Sequence, residues 1–259
     1  MCAAIANRPR KGKGITMKIR KFETQEALNE AAADLISGLV LRNPAAVLGL
    51  ATGSTPVGIY ASLVRRYEAG LVRFKQTTTF NLDEYVGLPA GHPESYRSYM
   101  QNHLFKHVDL VPEQTFLPDG NAADLEAECR RYDELLAGAG RINLQLLGIG
   151  HNGHIGFNEP DHALLSGTHI VELKPSTREA NARFFQSLDE VPTHALTMGI
   201  GSILKAESIL LVVRGADKAE IVHRALTGPI TTDCPASLLQ THADLHVYVD
   251  SEAGRLLDA

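Results

Sequence analysis

The chain has 259 residues, 44% of them hydrophobic and 21% charged, with 25 Lys and Arg against 30 Asp and Glu. That composition excludes a chain disordered throughout and a small disulfide-stapled scaffold, and no apolar run approaches the roughly 20 residues a membrane helix requires. The net charge of −5 is unevenly placed: residues 1–21 hold seven cations (Arg8, Arg10, Lys11, Lys13, Lys18, Arg20, Lys21) and no acid, so the rest carries −12. An acidic body excludes bulk nucleic-acid binding, which neutralises phosphates with a basic surface.

Cys2, Cys129 and Cys234 are far apart, odd in number and in no C-x-x-C arrangement. They read as free, buried thiols of a reducing compartment, which makes the expected location cytoplasmic. The N-terminal stretch lacks the apolar segment of a secretory signal. Residues 1–16 are expected to form a flexible basic extension, and residues 17–259 a single α/β catalytic domain.

From Met17 onward, short β-rich runs alternate with helical stretches. KIRKF (18–22) precedes a helix over 24–40, in which Ala27, Leu28, Ala31 and Leu35 follow helical spacing. AVLGLA (46–51) is a continuous apolar run, as expected for a strand buried on both faces. A helix over 55–70 follows, with Pro56 suited to its first position and Gly70 to its end. TTTFNLD (77–83), a helix around 94–108, TFLP (115–118) and an amphipathic helix over 124–138 come next. INLQLLGIG (142–150) is the most strand-like run, followed by an irregular Gly/Pro/His stretch. THIVELK (168–174), a helix near 176–185, ALTMGI (195–200), SILLVVRG (208–215), a helix from about 217 and LHVYVD (245–250) complete the pattern. The alternation predicts a Rossmann-like α/β fold: an open, mostly parallel sheet with helices on both faces, a three-layer sandwich. Ligands of such sheets bind beyond the carboxyl ends of the strands, so the residues there carry the functional question.

After AVLGLA comes Thr52-Gly53-Ser54-Thr55-Pro56 and a helix. Glycine, hydroxyls and free helical N–H groups can cradle a phosphate, although the segment is no Walker loop; it reads equally as a capped turn. After TTTFNL comes Asp83-Glu84-Tyr85, where Asp83 is a candidate general base and the alternative is a helix cap or solvated loop acid. After INLQLL, Gly148, Gly150 and Gly153 match G-x-G-x-x-G, with Glu172 near the acidic spacing of a dinucleotide fingerprint. That fingerprint needs a helix opening at its third glycine, and HIGFNEP with its glycine and proline should not start one. The better reading is an irregular loop presenting His154 and Glu159, a proton-transfer pair, together with Asn152. Lys218 in the first turn of a helix opposes the macrodipole, a conflict that a bound anion removes. Arg178 and Arg183 are five apart, so at most one of them should enter a given site. His103/His107 and His242/His246 have metal-like spacing without a third ligand nearby, and read as exposed or capping histidines.

Taken in order, LGLATGSTP (48–56), FNLDEYVGL (80–88), HPESYRSYM (92–100), LLGIGHNGHIGFNEP (146–160), TREANARFF (177–185) and ALTMGIGSIL (195–204) resemble the glucosamine-6-phosphate deaminase family across nearly the whole chain after Met17. The resemblance implies conversion of glucosamine 6-phosphate and water to fructose 6-phosphate and ammonia, in amino-sugar catabolism, with no metal or redox cofactor. It implies Asp83 as the base for enolisation and Asn152, His154 and Glu159 as the ring-opening group. It also implies a phosphate site made by Thr52, Gly53, Ser54 and Thr55 with Arg183 and Lys218. The related 6-phosphogluconolactonases usually carry an arginine after their Asp-Glu pair, where this chain has Tyr85. A galactosamine 6-phosphate enzyme remains open, because one epimeric hydroxyl need not change these motifs. Some family members have aspartate at the position of Asn152, so here the amide is expected to position groups and leave the proton to His154 and Glu159. The stretch His169-Ile170-Val171-Glu172 lacks the basic residues of the allosteric, hexameric branch. A non-allosteric enzyme is expected, with the oligomeric state open.

Overall fold

The structure, a computed structural model, describes residues 16–89 and 91–257. Cys2 and the basic extension, apart from Thr16, fall outside the described residues. The first half of the chain runs β1 (Thr16–Phe22), α1 (Gln25–Arg42), β2 (Val47–Leu50), α2 (Val57–Glu68), β3 (Thr78–Asn81), β4 (Asp83–Tyr85), α3 (Tyr96–His103) and β5 (Thr115–Phe116). The second runs α4 (Leu125–Gly138), β6 (Leu144–Leu147), β7 (His169–Glu172), α5 (Pro175–Asn181), β8 (His194–Thr197), α6 (Ile200–Leu204), β9 (Ser208–Val213), α7 (Ala219–Thr227) and β10 (Asp244–Asp250). Local chemistry sets these limits. Thr24 caps α1 by accepting from the Ala27 amide at 3.1 Å, and Leu28, Ala32, Ala33, Ile36 and Val40 form its buried stripe. Asp124 caps α4 in the same way, and Cys129 and Tyr132 supply its buried face.

Seven strands form one sheet in the order β1-β10-β9-β6-β2-β3-β5, and every neighbouring pair is parallel. β2 and β6 are buried at every position, which explains their uninterrupted apolar runs. Gly49 is required at the centre: a Cβ there would collide with the side chain of Gln145, its partner across the β2–β6 ladder. Helices connect the parallel strands, and α1 and α2 pack on each other. The chain leaves β2 toward one edge and β6 toward the opposite edge. The strand order therefore reverses between them, where a crevice opens at the carboxyl ends.

One expectation needs correction. TTTFNLD is not one strand, and THIVELK and ALTMGI do not join the parallel sheet. β3 ends at Asn81, and Asp83 begins β4, which pairs antiparallel with β8, itself antiparallel to β7. This three-stranded sheet stands against the carboxyl ends of the main one. A small aromatic and aliphatic cluster of Tyr85, Leu88, Phe157, Leu173 and Ala195 sits beneath it, separate from the main core.

Candidate active site

The carboxyl ends of β2, β3, β6, β9 and β10 open onto one cavity of about 770 Å³. Thr52, Gly53, Ser54, Thr55, Asp83, Asn152, His154, Arg183 and Lys218 all line it. Glu159 does not; it lies behind the wall, buried, and reaches the cavity through its neighbours.

Asp83 sits at the bend where the chain passes from the parallel sheet into the small one, opposite Thr197. Gly156 adjoins it with φ of +59°, and a Cβ there would lie 3.0 Å from Thr197 Oγ1 and 3.6 Å from Asp83 Oδ2. Burial, and then the neighbouring Glu84 carboxylate, push Asp83 up to about 8. The capping alternative belongs to Glu84 instead. Its carboxylate accepts from the amides of Tyr85, Tyr96 and Arg97, each at 2.9 Å, and so caps α3. Two adjacent acids are thereby divided between capping a helix and lining the cavity.

After β6 the chain turns tightly: the Gly153 amide donates to the Gly150 carbonyl at 3.0 Å and the Gly150 amide to the His154 carbonyl at 2.9 Å. No helix opens at Gly153, which removes the dinucleotide fingerprint. The loop is stitched to β8 and its C-terminal extension: the Phe157 amide donates to Thr197 Oγ1, and Asn158 Nδ2 to the Met198 carbonyl. Glu159 is the hub. It accepts from Asn152 Nδ2 at 2.6 Å and Thr177 Oγ1 at 2.5 Å, and its Oε2 lies 3.5 Å from His154 Nδ1. Burial would raise this carboxyl, but the pairing with His154 and the bonds from Thr177 and Asn152 bring it below the usual range. The Glu159 carboxylate faces the Nδ1 edge of the ring at a distance longer than a hydrogen bond, and Nδ1 is buried with no other hydrogen-bond partner among the described residues. Asn152 also accepts from the His154 amide at 3.1 Å, so it braces both partners.

Cations gather on another wall. Lys218, at the start of α7, donates to the Ile149 carbonyl at 3.0 Å. Burial draws its ammonium down to about 8, against the pull of Asp217 and with the help of Arg183. Arg183 lies in the 3-10 turn after α5, with its guanidinium over Phe184. Arg178 turns away, to the carbonyls of Leu188 and Val191, so only one of the two arginines enters the cavity. The structure also brings in Arg214, Tyr96 and the pair His151–Asp217, whose atoms are 2.6 Å apart. Arg214 could have been found by asking what ends the SILLVVRG run. Thr177 and Tyr96 lie in motif segments but carried no separate signal. Among the described residues, no three His, Cys, Asp or Glu side chains gather as metal ligands.

The chain matches, over residues 20–247, the family model described as glucosamine-6-phosphate isomerases/6-phosphogluconolactonase. It is 52% identical over 240 residues to the glucosamine-6-phosphate deaminase of Bacillus pumilus, covering 93% of this chain and all of that protein. It is 50% identical to glucosamine-6-phosphate deaminase 1 of Bacillus subtilis, with 93% of this chain and 99% of that protein covered. The solved structure of a monomeric glucosamine-6-phosphate deaminase superposes with a TM-score of 0.90 at 50% identity, over 93% of this chain and 100% of that one. The 6-phosphogluconolactonase of Trypanosoma brucei superposes at 0.72 with 19% identity over 94% and 99% of the two chains, a likeness of fold alone.

Proposed function

The chain belongs to the family of glucosamine-6-phosphate isomerases and 6-phosphogluconolactonases, and within it we propose that the protein converts glucosamine 6-phosphate and water to fructose 6-phosphate and ammonia. The observation that carries this reading is one cavity lined by two kinds of group. Asp83, His154 and Asn152, with Glu159 behind the wall, can move protons, and the 52–55 loop, Arg183 and Lys218 can hold an anion. The deaminase relatives at about half identity support it, whereas the lactonase likeness supports only the shared fold.

The phosphate takes the cationic groups, remote from the reacting carbons, so its binding energy orients them. His154, with Glu159 beside its Nδ1 edge, takes the C1 hydroxyl proton and hands a proton to the ring oxygen, which opens the pyranose to the aldehyde. Asp83, as the carboxylate, removes the C2 proton and delivers a proton to C1 by way of an enolamine. The resulting C2 imine adds water, and the carbinolamine expels ammonia to leave the ketone. The substrate's own amine and carbonyl carry the electron flow. We place the reaction in the cytoplasm, where the buried free thiols Cys129 and Cys234 would stay reduced.

The test is direct. Purified full-length protein is given glucosamine 6-phosphate without added cofactor, with galactosamine 6-phosphate and 6-phosphogluconolactone in parallel. Equal amounts of ammonia and fructose 6-phosphate are expected from the first. Lactone hydrolysis without ammonia release would replace this reading with the lactonase, and preferred turnover of the galactosamine epimer would change the substrate.

A further inference from the structure

We propose that Tyr99 and Arg214 are positioning residues for phosphate recognition, gripping two carbonyls of the 52–55 loop so that its amides face the ligand; the inference rests on the phosphate site described above. A loop binds an anion through its N–H groups only if its peptide planes are turned the right way. In a trans peptide, the carbonyl of one residue and the amide of the next point in opposite directions, and the described residues contain no cis peptide. Fixing a carbonyl therefore aims the following amide.

Three side chains from three elements do this in succession. Tyr60 of α2 donates to the Ala51 carbonyl at 2.6 Å, Tyr99 of α3 to Gly53 at 2.6 Å, and Arg214 after β9 to Ser54 at 2.7 Å. The amides of Thr52, Ser54 and Thr55 are thus turned away from the gripping groups. Gly53, with φ of +93°, supplies the backbone bend between them, and Pro56 ends the run without an N–H of its own. Tyr60 is wholly buried and anchors the end of β2. Tyr99 and Arg214 are not core residues: both are partly exposed, 46 and 160 residues from the carbonyls they hold. Among the described residues, Arg214 Nε is buried without a hydrogen-bond partner. The Asp250 carboxylate, whose charge acts on Arg214, instead accepts from the amides of Gly215 and Ala253. The fold alone leaves this guanidinium under-satisfied, as expected of a group kept for the loop and the anion in it.

Tyr99→Phe removes a hydroxyl and no charge, so it separates loop gripping from direct attraction of the phosphate. Inorganic phosphate and fructose 6-phosphate are titrated calorimetrically into the full-length parent, Tyr99→Phe, Arg214→Met and Arg214→Lys, and KM and kcat are measured for each. Loss of one such bond is expected to weaken both ligands about three- to tenfold and to raise KM by a similar factor, with kcat within about twofold. Arg214→Lys, which keeps a donor, is expected to recover most of the loss seen in Arg214→Met. Unchanged phosphate affinity in Tyr99→Phe, or a fall in kcat at constant KM, would overturn the inference. A parent that binds neither ligand would remove the phosphate site itself, a distinct failure visible before any variant is compared.

Discussion

Asp83, buried, and Lys218, half-buried, line the same cavity with opposite charge preferences, and both are drawn to about 8. In the proposed reaction Asp83 acts ionised and Lys218 holds the phosphate as a cation. The rate kcat/KM should therefore rise as Asp83 loses its proton and fall as Lys218 loses its own, giving a narrow bell near pH 8. Lys218→Arg, which stays charged, should remove the alkaline limb while leaving the acid limb in place; an unaltered alkaline limb would take Lys218 out of the profile. Asp83 also bears on stability. Its folded-state pKa lies above the ordinary aspartate value of 3.8, so the folded state holds the proton longer than the unfolded chain. Stability is then lost as pH rises from about 4 to about 8 and stays lost above that. Asp83→Asn should abolish turnover and raise Tm, with the gain largest at pH 8 and above and absent near pH 3. A gain of ~1 kcal/mol corresponds to about 2–4 °C in a chain of this size, readable by scanning calorimetry. A lowered Tm at pH 8 would mean that the carboxylate is stabilised in the fold and is no strained base.

At the scale of elements, the segment from Gly148 to Pro160 works because it is not a helix. Its glycines let the His154 ring lie against the backbone: a Cβ on Gly150 would overlap the imidazole, and one on Gly153 would press on Cys234 Sγ. Gly150→Ala should displace His154 and lower kcat at least about tenfold, while phosphate affinity measured by titration stays within about twofold. Full activity in this variant would show that the ring is not needed where it lies. The loop was legible in the sequence because its glycine density and its proline forbid a helix where a strand has just ended. The pairing of β4, β7 and β8 was not legible. A short apolar run such as ALTMGI looks the same in a parallel or an antiparallel ladder, and nothing in it names its partner. Likewise, Asp83 and Glu84 are adjacent identical charges, and only the position of the α3 amides tells which of them caps a helix. The grips of Tyr99 and Arg214 on the 52–55 loop depend on contacts far apart in sequence and leave no periodic trace.

For the molecule as a whole, strand order decides where chemistry can occur. The reversal between β6 and β2 opens the crevice, and the loops that follow these two strands bring Asn152 and His154, the proposed ring-opening residues, and the 52–55 loop, the proposed phosphate site, to its walls. Alternation of elements was enough to read this architecture from the sequence, because a parallel sheet built by crossovers leaves few other arrangements. The acidic body, with −12 beyond residue 21, does not draw a sugar phosphate in by its overall field. Recognition falls to local groups, which is why single substitutions at Lys218 or Tyr99 should register so clearly in affinity. In the reaction we propose, this one cavity isomerises and deaminates glucosamine 6-phosphate with Asp83 as its base. Following the substrate by NMR, with the full-length parent and Asp83→Asn side by side, decides the matter. The parent should release fructose 6-phosphate and ammonium in equal amounts, and Asp83→Asn should bind the sugar phosphate yet form neither. An inactive parent, or an Asp83→Asn variant turning over at a comparable rate, would contradict it.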